Sequence, residues 1–564
     1  MKRPGYISVA ARRAIDRRNF LALSGSAAAA AAVLASCGGG DDDDDASNDA
    51  PTPDTRSLST PSVAPKSGGT LQEASDVLTS DIDPHASPTP TMFVSGRVFN
   101  SLLEMRMKPD LTGFDIKPAL AEIPEQPDEL TYTFKLVPNI KTHNKAPLNG
   151  RALTAEDAVA NMQLIAAAPK EVASRFIRAF NFEGYDSITA IDETTAQIKF
   201  KTPFAPFLTY IADPFNVIIP KPILDQYGPI VSDSAGLVGT GPFMLESYTP
   251  KIKSKVVRNP DYFRRPAYFD AVETTIIEDP STRIASLRSG AIDWLSGFNK
   301  EQADALKGTN PDLKSATLAQ LSGAVWMFNT AMAPVSDPKV REAIDLALDR
   351  EDLVTLLLGG DGQVTGAPIP PGLGAFSWNR DEIKTRYARN TAKAKELLSA
   401  AGFGNGVSIP FMGPTNYAQQ CTAMKAQLEE VGIKLEPFDL IEYAAFTDRR
   451  IKKDYTTSFF IRAQYADPEE FMYKDLHSPP SSRNYYNYAN PALDALLEKQ
   501  RQEFDQAKRA QLMHDAQAIV MDDRPILSLY VANSQFMWQK KLEGFLPANI
   551  RSAYHTSDDW WFNA

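Results

Sequence analysis

Between residues 407 and 440 the sequence reads strand, helix, strand with no room for another arrangement. Residues 407–412 form an apolar run of strand length, and 417–431 place Cys421, Met424, Leu428 and Val431 on one helical face. Gly432 closes that helix, and 433–440 form a second strand. Consecutive strands joined through a helix run parallel, with a right-handed connection. Weaker versions of the same alternation extend back to Gly68. A strand opens at Gly68-Gly69-Thr70-Leu71, and Tyr132 to Leu136 alternates with the period of a strand. Thr154-Ala155-Glu156-Asp157 is a helix-opening capping box, and Asp192-Glu193 separates two short strand runs as a hairpin turn does. Gly239-Thr240-Gly241-Pro242 is turn chemistry ahead of a strand over 243–248. Three helices follow: one after Ser336 with Val340, Ala343, Ile344, Ala347 and Leu348 on its apolar face, one ending at Gly359-Gly360, and one over 391–401. The predicted class is α/β with mixed sheets, more antiparallel in the first half and more βα-like in the second.

Length and composition narrow what such a fold does. The chain has 564 residues, enough for three or four domain-sized units or for large lobes with interleaved segments. Hydrophobic residues are 43% and charged residues 23%, so a wholly disordered chain is excluded. Lys and Arg total 59 against 70 Asp and Glu, a net charge of −11 that speaks against nucleic acid as a partner. Two cysteines and five histidines are too few for a disulfide framework or a Cys/His zinc cluster. His85, His143, His477, His514 and His555 show no ligand spacing, so neither a metal nor a cofactor is expected.

Residues 1–36 read as an export signal. Arg17-Arg18 precede Phe20-Leu21 and an alanine-rich run to Ala35, a charged region followed by an apolar one too short to span a membrane. The paired arginines resemble a twin-arginine signal, with Asp16 and Ala22 departing from its ends, so the general secretory route stays open. Leu34-Ala35-Ser36-Cys37 resembles a bacterial lipobox, which implies that Cys37 becomes the lipidated first residue of the mature protein. An uncleaved anchor or an ordinary signal peptide is the alternative. Residues 37–66, with the run Asp41 to Asp45, read as a disordered tether whose end-to-end distance is on the order of 30 Å. With Cys37 acylated, Cys421 has no disulfide partner and reads as core.

The order of motifs resembles that of the family 5 extracellular solute-binding proteins, which serve peptide- and nickel-type ABC importers. Its elements are Gly68-Gly69-Thr70-Leu71, Asp83-Pro84, Tyr132-Thr133-Phe134-Lys135-Leu136, Gly150, residues 153–159, Gly239-Thr240-Gly241-Pro242-Phe243 and Asn259 with Tyr262. Further on come Gly290-Ala291-Ile292-Asp293, Phe328-Asn329, Val340-Arg341-Glu342-Ala343-Ile344, Asp349-Arg350 and Asp523-Arg524-Pro525. The 145–149 segment is an insertion where the family has a short turn. The resemblance implies a two-lobed, periplasmic-binding-protein-like fold (type II, cluster C-like) with a two-segment hinge. Lobe I would span 67–322 with a subdomain at approximately 90–180, lobe II 323–529, and 530–564 would return to lobe I. The chain would cross around 320–330 and return around 525–531. The expected protein is a lipid-anchored monomer on the periplasmic or cell-surface side of the membrane. It would close on a solute and deliver it to a permease and its ATPase.

The resemblance also places the cleft. In peptide binders of this family an Asp three residues before a D/E-Pro pair meets the ligand's ammonium; here the pair is Asp467-Pro468 and that position is Gln464. Ile461 stands where some relatives carry a stacking Trp, and Tyr443 at an upstream aromatic position. An amide is a poor substitute for a carboxylate facing ammonium. The solute is therefore expected to lack a simple α-ammonium here or to carry an anion that Arg462 grips, unless Arg462 pairs with a nearby acid such as Asp467 or Glu469. Asp83 and His85 after the first strand, and Trp326 near the crossover, are further lining candidates. Tyr485, Tyr486 and Tyr488 with Asn484 offer flat surfaces or an exposed loop.

Two other classes compete. No nucleophile-elbow, zinc-protease or P-loop motif is present, which leaves a secreted carboxylate-dependent hydrolase. Its acids would have to be distant in sequence, since the adjacent pairs Glu469-Glu470 and Asp522-Asp523 read as solvated faces. The other is a non-transport envelope lipoprotein acting as sensor or chaperone.

Overall fold

The computed structural model describes residues 64–76, 82–85, 92–176, 178–478, 483–548 and 553–563, all within one compact unit, Pro51–Ala564. The export signal with Arg17, Arg18 and Cys37, and the tether up to residue 63, lie outside the described residues.

One long strand organises the molecule. Ile526–Trp538 pairs through its first residues with Ala324–Phe328, through Tyr530 to Ala532 with Gly362–Val364, and through Asn533 to Trp538 with Lys314–Ala319. At about 3.4 Å per residue this strand runs roughly 40 Å, long enough to belong to two sheet halves. On one side the 12-stranded sheet continues through Thr457–Ile461, Val407–Pro414 and Ile433–Ile441. On the other it continues through Trp294–Phe298, Thr70–Ser75, Ala271–Ile276, Lys253–Arg258 and Phe243–Thr249. Residues 320–323 join Lys314–Ala319 to Ala324–Phe328 beside the same strand, where Gln320 N–H donates to Ala532 O at 3.0 Å. Two chain segments thus connect the halves side by side.

The local chemistry follows the sequence. Val407–Pro414 and Ile433–Ile441 are parallel, and the helix Ala418–Glu429 between them buries Cys421, Met424 and Leu428. Helices begin at Asp279, Asp337 and Asp349, whose carboxylates accept N–H groups of the first turn; in the first two a proline stands at the start, where its missing donor costs nothing. Thr154 and Asp157 form the expected capping box. The hairpin Tyr185–Ala190/Thr195–Phe200 belongs to a separate four-stranded sheet with Thr131–Lys135 and Glu125–Asp128. Gly239 and Gly241 lie against the backbone of Arg97 and Val98, leaving no room for a Cβ. His143 holds this turn, accepting from Gly239 N–H at 3.2 Å through Nδ1 and bonding Gly241 O at 3.0 Å through Nε2. Burial pushes its pKa down to about 4, keeping it neutral.

Candidate functional site

Residues 461–468 lead from Thr457–Ile461 into the helix Glu469–Leu476, and both ends of this loop are fixed by arginine. Asp467 takes a bidentate pair from Arg509, at 2.6 and 3.0 Å, and its Oδ1 also accepts the Glu469 N–H at 2.9 Å. Arg462 is buried. Its Nη2 donates to Asp475 Oδ2 at 2.7 Å and to Phe471 O at 2.6 Å, and its Nη1 to Pro368 O at 3.2 Å. Arg462 thus pairs with a nearby acid, and that acid is Asp475 rather than Asp467 or Glu469; its guanidinium ties the loop to the helix Glu469–Leu476. Between these anchors Ala463 is exposed, and Gln464 and Tyr465 are half-buried.

The remaining candidates scatter. Trp326 is fully buried in the second-half core, 5.1 Å from the Phe411 ring. Asp83 is buried and accepts the N–H groups of His85 and Val231 at 2.9 and 2.6 Å, which makes it a brace for backbone. His85 bonds Val217 O at 2.9 Å through Nε2, and burial lowers its pKa. Ile461 packs half-buried against the second-half core. Tyr443 opens the helix Tyr443–Ile451 and is 43% exposed. Of the tyrosine group, Tyr486 and Tyr488 are buried and only Tyr485 is half-exposed; Asn484 ties the turn to His477 O and Tyr488 O.

What the structure does bring together is a charged, aromatic seam between residues 178–216 and 465–501. Tyr210 donates its hydroxyl to Glu469, which lies 3.1 Å from Arg501 Nε. Arg501 reaches Glu183 at 3.3 Å, stacks on Tyr473 and Phe204, and accepts Ala205 N–H on its carbonyl at 2.7 Å. Arg178 donates to Asp213 at 3.1 Å and lies over Phe215. The Lys474 ammonium sits over the Phe180 ring and 5.0 Å from that of Tyr210. Burial drives Glu470 up to about 7, against the pull of Lys474, Arg178 and Arg483. It also drives Lys474 down to about 7, against Glu470 and Glu469. The adjacent acids Glu469 and Glu470, expected on a solvated face, are therefore corrected: both are buried. Sequence reasoning also missed Arg178, Tyr210, Asp213, Lys474 and Arg501. The only local signal was the i, i+4 spacing of Glu470 and Lys474 just after Asp467-Pro468. A cavity of about 110 Å³ between residues 105–107 and 544–560 shares no residue with this seam.

Comparison with known proteins agrees with this architecture. Residues 115–483 match the family described as bacterial extracellular solute-binding proteins, family 5 Middle. The glutathione-binding protein GsiB of Pectobacterium atrosepticum is 27% identical over 437 residues, covering 74% of this chain and 80% of that protein. Heme-binding protein A of Haemophilus influenzae is 29% identical over 453 residues, covering 76% and 81%. The periplasmic binding protein DppA of Helicobacter pylori, solved with the peptide STSA and described as ABC transporter-associated, superposes with a TM-score of 0.73 at 25% identity, covering 88% of this chain and 99% of that one. The chain belongs to the family 5 extracellular solute-binding proteins. Its fold is the mixed α/β, two-lobed one of periplasmic binding proteins, and its role is that of the solute-binding component of an ABC importer. Members of this family are binding proteins rather than enzymes, and no helix among the described residues is long and apolar enough to cross a membrane.

Proposed function

We propose that this protein captures a peptide or peptide-like solute between two lobes, makes and breaks no bond in it, and presents the closed, loaded form to a membrane permease and its ATPase. Lobe I comprises 67–322, with its subdomain at approximately 90–180 and the return of 530–564; lobe II comprises 323–529. Residues 320–323 and the long strand Ile526–Trp538 serve as the hinge. The observation that carries this reading is the seam: residues 178–213 and 469–501, far apart in the chain, meet through buried charges and rings. Water would otherwise solvate these charges, so a seam of this kind opens and shuts at modest cost once a solute supplies differential affinity. Arg17 and Arg18 direct export, and Cys37 carries the lipid that holds the monomer to the membrane.

The test is native mass spectrometry of the protein purified from its host, followed by release of the bound molecule. A small solute recovered intact supports capture without turnover, and products accumulating from an added peptide panel would contradict it. Anchoring is read separately: Cys37→Ser is expected to move the protein from the membrane to the soluble fraction.

A further inference from the structure

Buried arginines among the described residues are satisfied either by an acid, as Arg97 by Glu73, Arg350 by Asp345, Arg462 by Asp475 and Arg509 by Asp467, or, at Arg341, by backbone carbonyls. The half-buried Arg450 has neither there. Its guanidinium lies over the rings of Phe460 at 4.2 Å and Tyr485 at 4.9 Å, shows no ion pair among the described residues, and has an Nε buried without a hydrogen-bond partner there. The neighbouring Arg449, by contrast, pairs with Asp454 at 2.9 Å. Arg483, also half-buried, is short of an acid as well. It donates to the Tyr465 hydroxyl at 3.2 Å, but its acid, Asp475, is 4.0 Å away and already held by Arg462 at 2.7 Å. Its Nη2 is likewise buried without a hydrogen-bond partner.

These two guanidiniums flank one stretch of chain. Arg450 lies on Phe460 and Arg483 against Tyr465, with the exposed Ala463 and half-buried Gln464 between those residues in sequence, and none of residues 461–466 is an acid. Tyr485, two residues beyond Arg483, closes the set against Arg450. A guanidinium stacked on rings keeps its planar N–H edge available and is cheap to desolvate, the arrangement suited to bidentate binding of a carboxylate.

We propose that Arg450 and Arg483 receive an anionic group of the solute, a carboxylate, across the 463–465 loop, with Tyr465 and Tyr485 as the flat walls. This rests on the solute-binding reading above and specifies the solute's charge. The place that the sequence assigns to Arg462 thus passes to two arginines it does not single out.

The test uses protein stripped of endogenous solute and four probes: trialanine, its C-terminal amide, N-acetyl-trialanine, and glutathione. Calorimetry with wild type is expected to show the free acids binding about tenfold or more tighter than the amide, the range of one charge-assisted hydrogen-bonded pair. Arg450→Gln and Arg483→Gln should each lose that preference and leave the amide's affinity unchanged. Arg450→Lys and Arg483→Lys, which keep charge without the fork, should recover part of it, and unfolding midpoints check that each variant is folded. Equal binding of acid and amide, or variants that keep the preference, would overturn this inference and leave the solute-binding reading standing. Binding of no probe would overturn both.

Discussion

Asp467 and Arg509 are each only 3% exposed and are joined by two short hydrogen bonds, so the charge on either is compensated almost entirely by the other. Replacing Asp467 with Asn keeps the shape and an acceptor for the Glu469 N–H but leaves a guanidinium buried without its counter-charge. Removing one partner of a buried pair costs about 3–5 kcal/mol. Arg509 keeps a bond to Gln500 Oε1 at 3.1 Å and its contact with the Phe376 ring, which places the expected loss near the lower figure, about 3 kcal/mol. Urea unfolding followed by tryptophan fluorescence measures it. The double variant Asp467→Leu/Arg509→Met removes both charges and should recover most of the loss, because a well-packed apolar pair is often as stable as a buried ion pair. The pair also sets the start of Glu469–Leu476, so Asp467→Asn should weaken solute binding beyond what its stability loss explains. A cost below about 0.5 kcal/mol, the size expected of an exposed pair, would refute the reasoning.

Three further outcomes follow from named contacts. Glu470 has its pKa raised to about 7 by burial, from 4.5, so its contribution is fully present below about pH 4.5 and is lost as pH rises through 7. Relative to Glu470→Gln, wild type should therefore lose stability between pH 5 and 8, and an opposite drift in the urea midpoint would contradict this. Cys421 is fully buried and its thiol is pushed up to about 12 by burial, so iodoacetamide at pH 8 should leave the native protein unlabelled and label it on unfolding. Gly241→Ala forces a Cβ into the Arg97–Val98 backbone and should cost about 1–3 kcal/mol or more in the same unfolding assay, whereas Gly308→Ala, with open space at that position, should not.

The fold was legible where backbone chemistry is local. The βαβ unit at 407–441, the Thr154 capping box, the Asp192 hairpin and the tight Gly239–Gly241 turn are each encoded within a few residues, and all stand in the structure. The long strand Ile526–Trp538 was not read as a strand: only a return of the chain around 525–531 was expected, from the resemblance, because one strand shared between two sheet halves leaves no local mark of its length. The site was less legible. Arg462 and Asp467 look alike in sequence as charges near a loop; their partners, Asp475 and Arg509, lie 13 and 42 residues on, and only the fold decides that both pairs close internally. Glu469-Glu470 read as solvated because adjacent acids usually are, yet both are buried, with Tyr210 and Arg501 arriving from elsewhere against Glu469. Long-range electrostatic pairing is a property of the folded surface, and local spacing carries little of it.

Under the proposed function, a solute draws two lobes together across this seam. Small-angle scattering of solute-stripped protein, before and after returning the small molecules released from it by denaturation, tests that most directly. The radius of gyration should fall on loading, and the fall should disappear when the returned pool is first depleted of the bound mass. An unchanged radius with the solute demonstrably bound would contradict the claim.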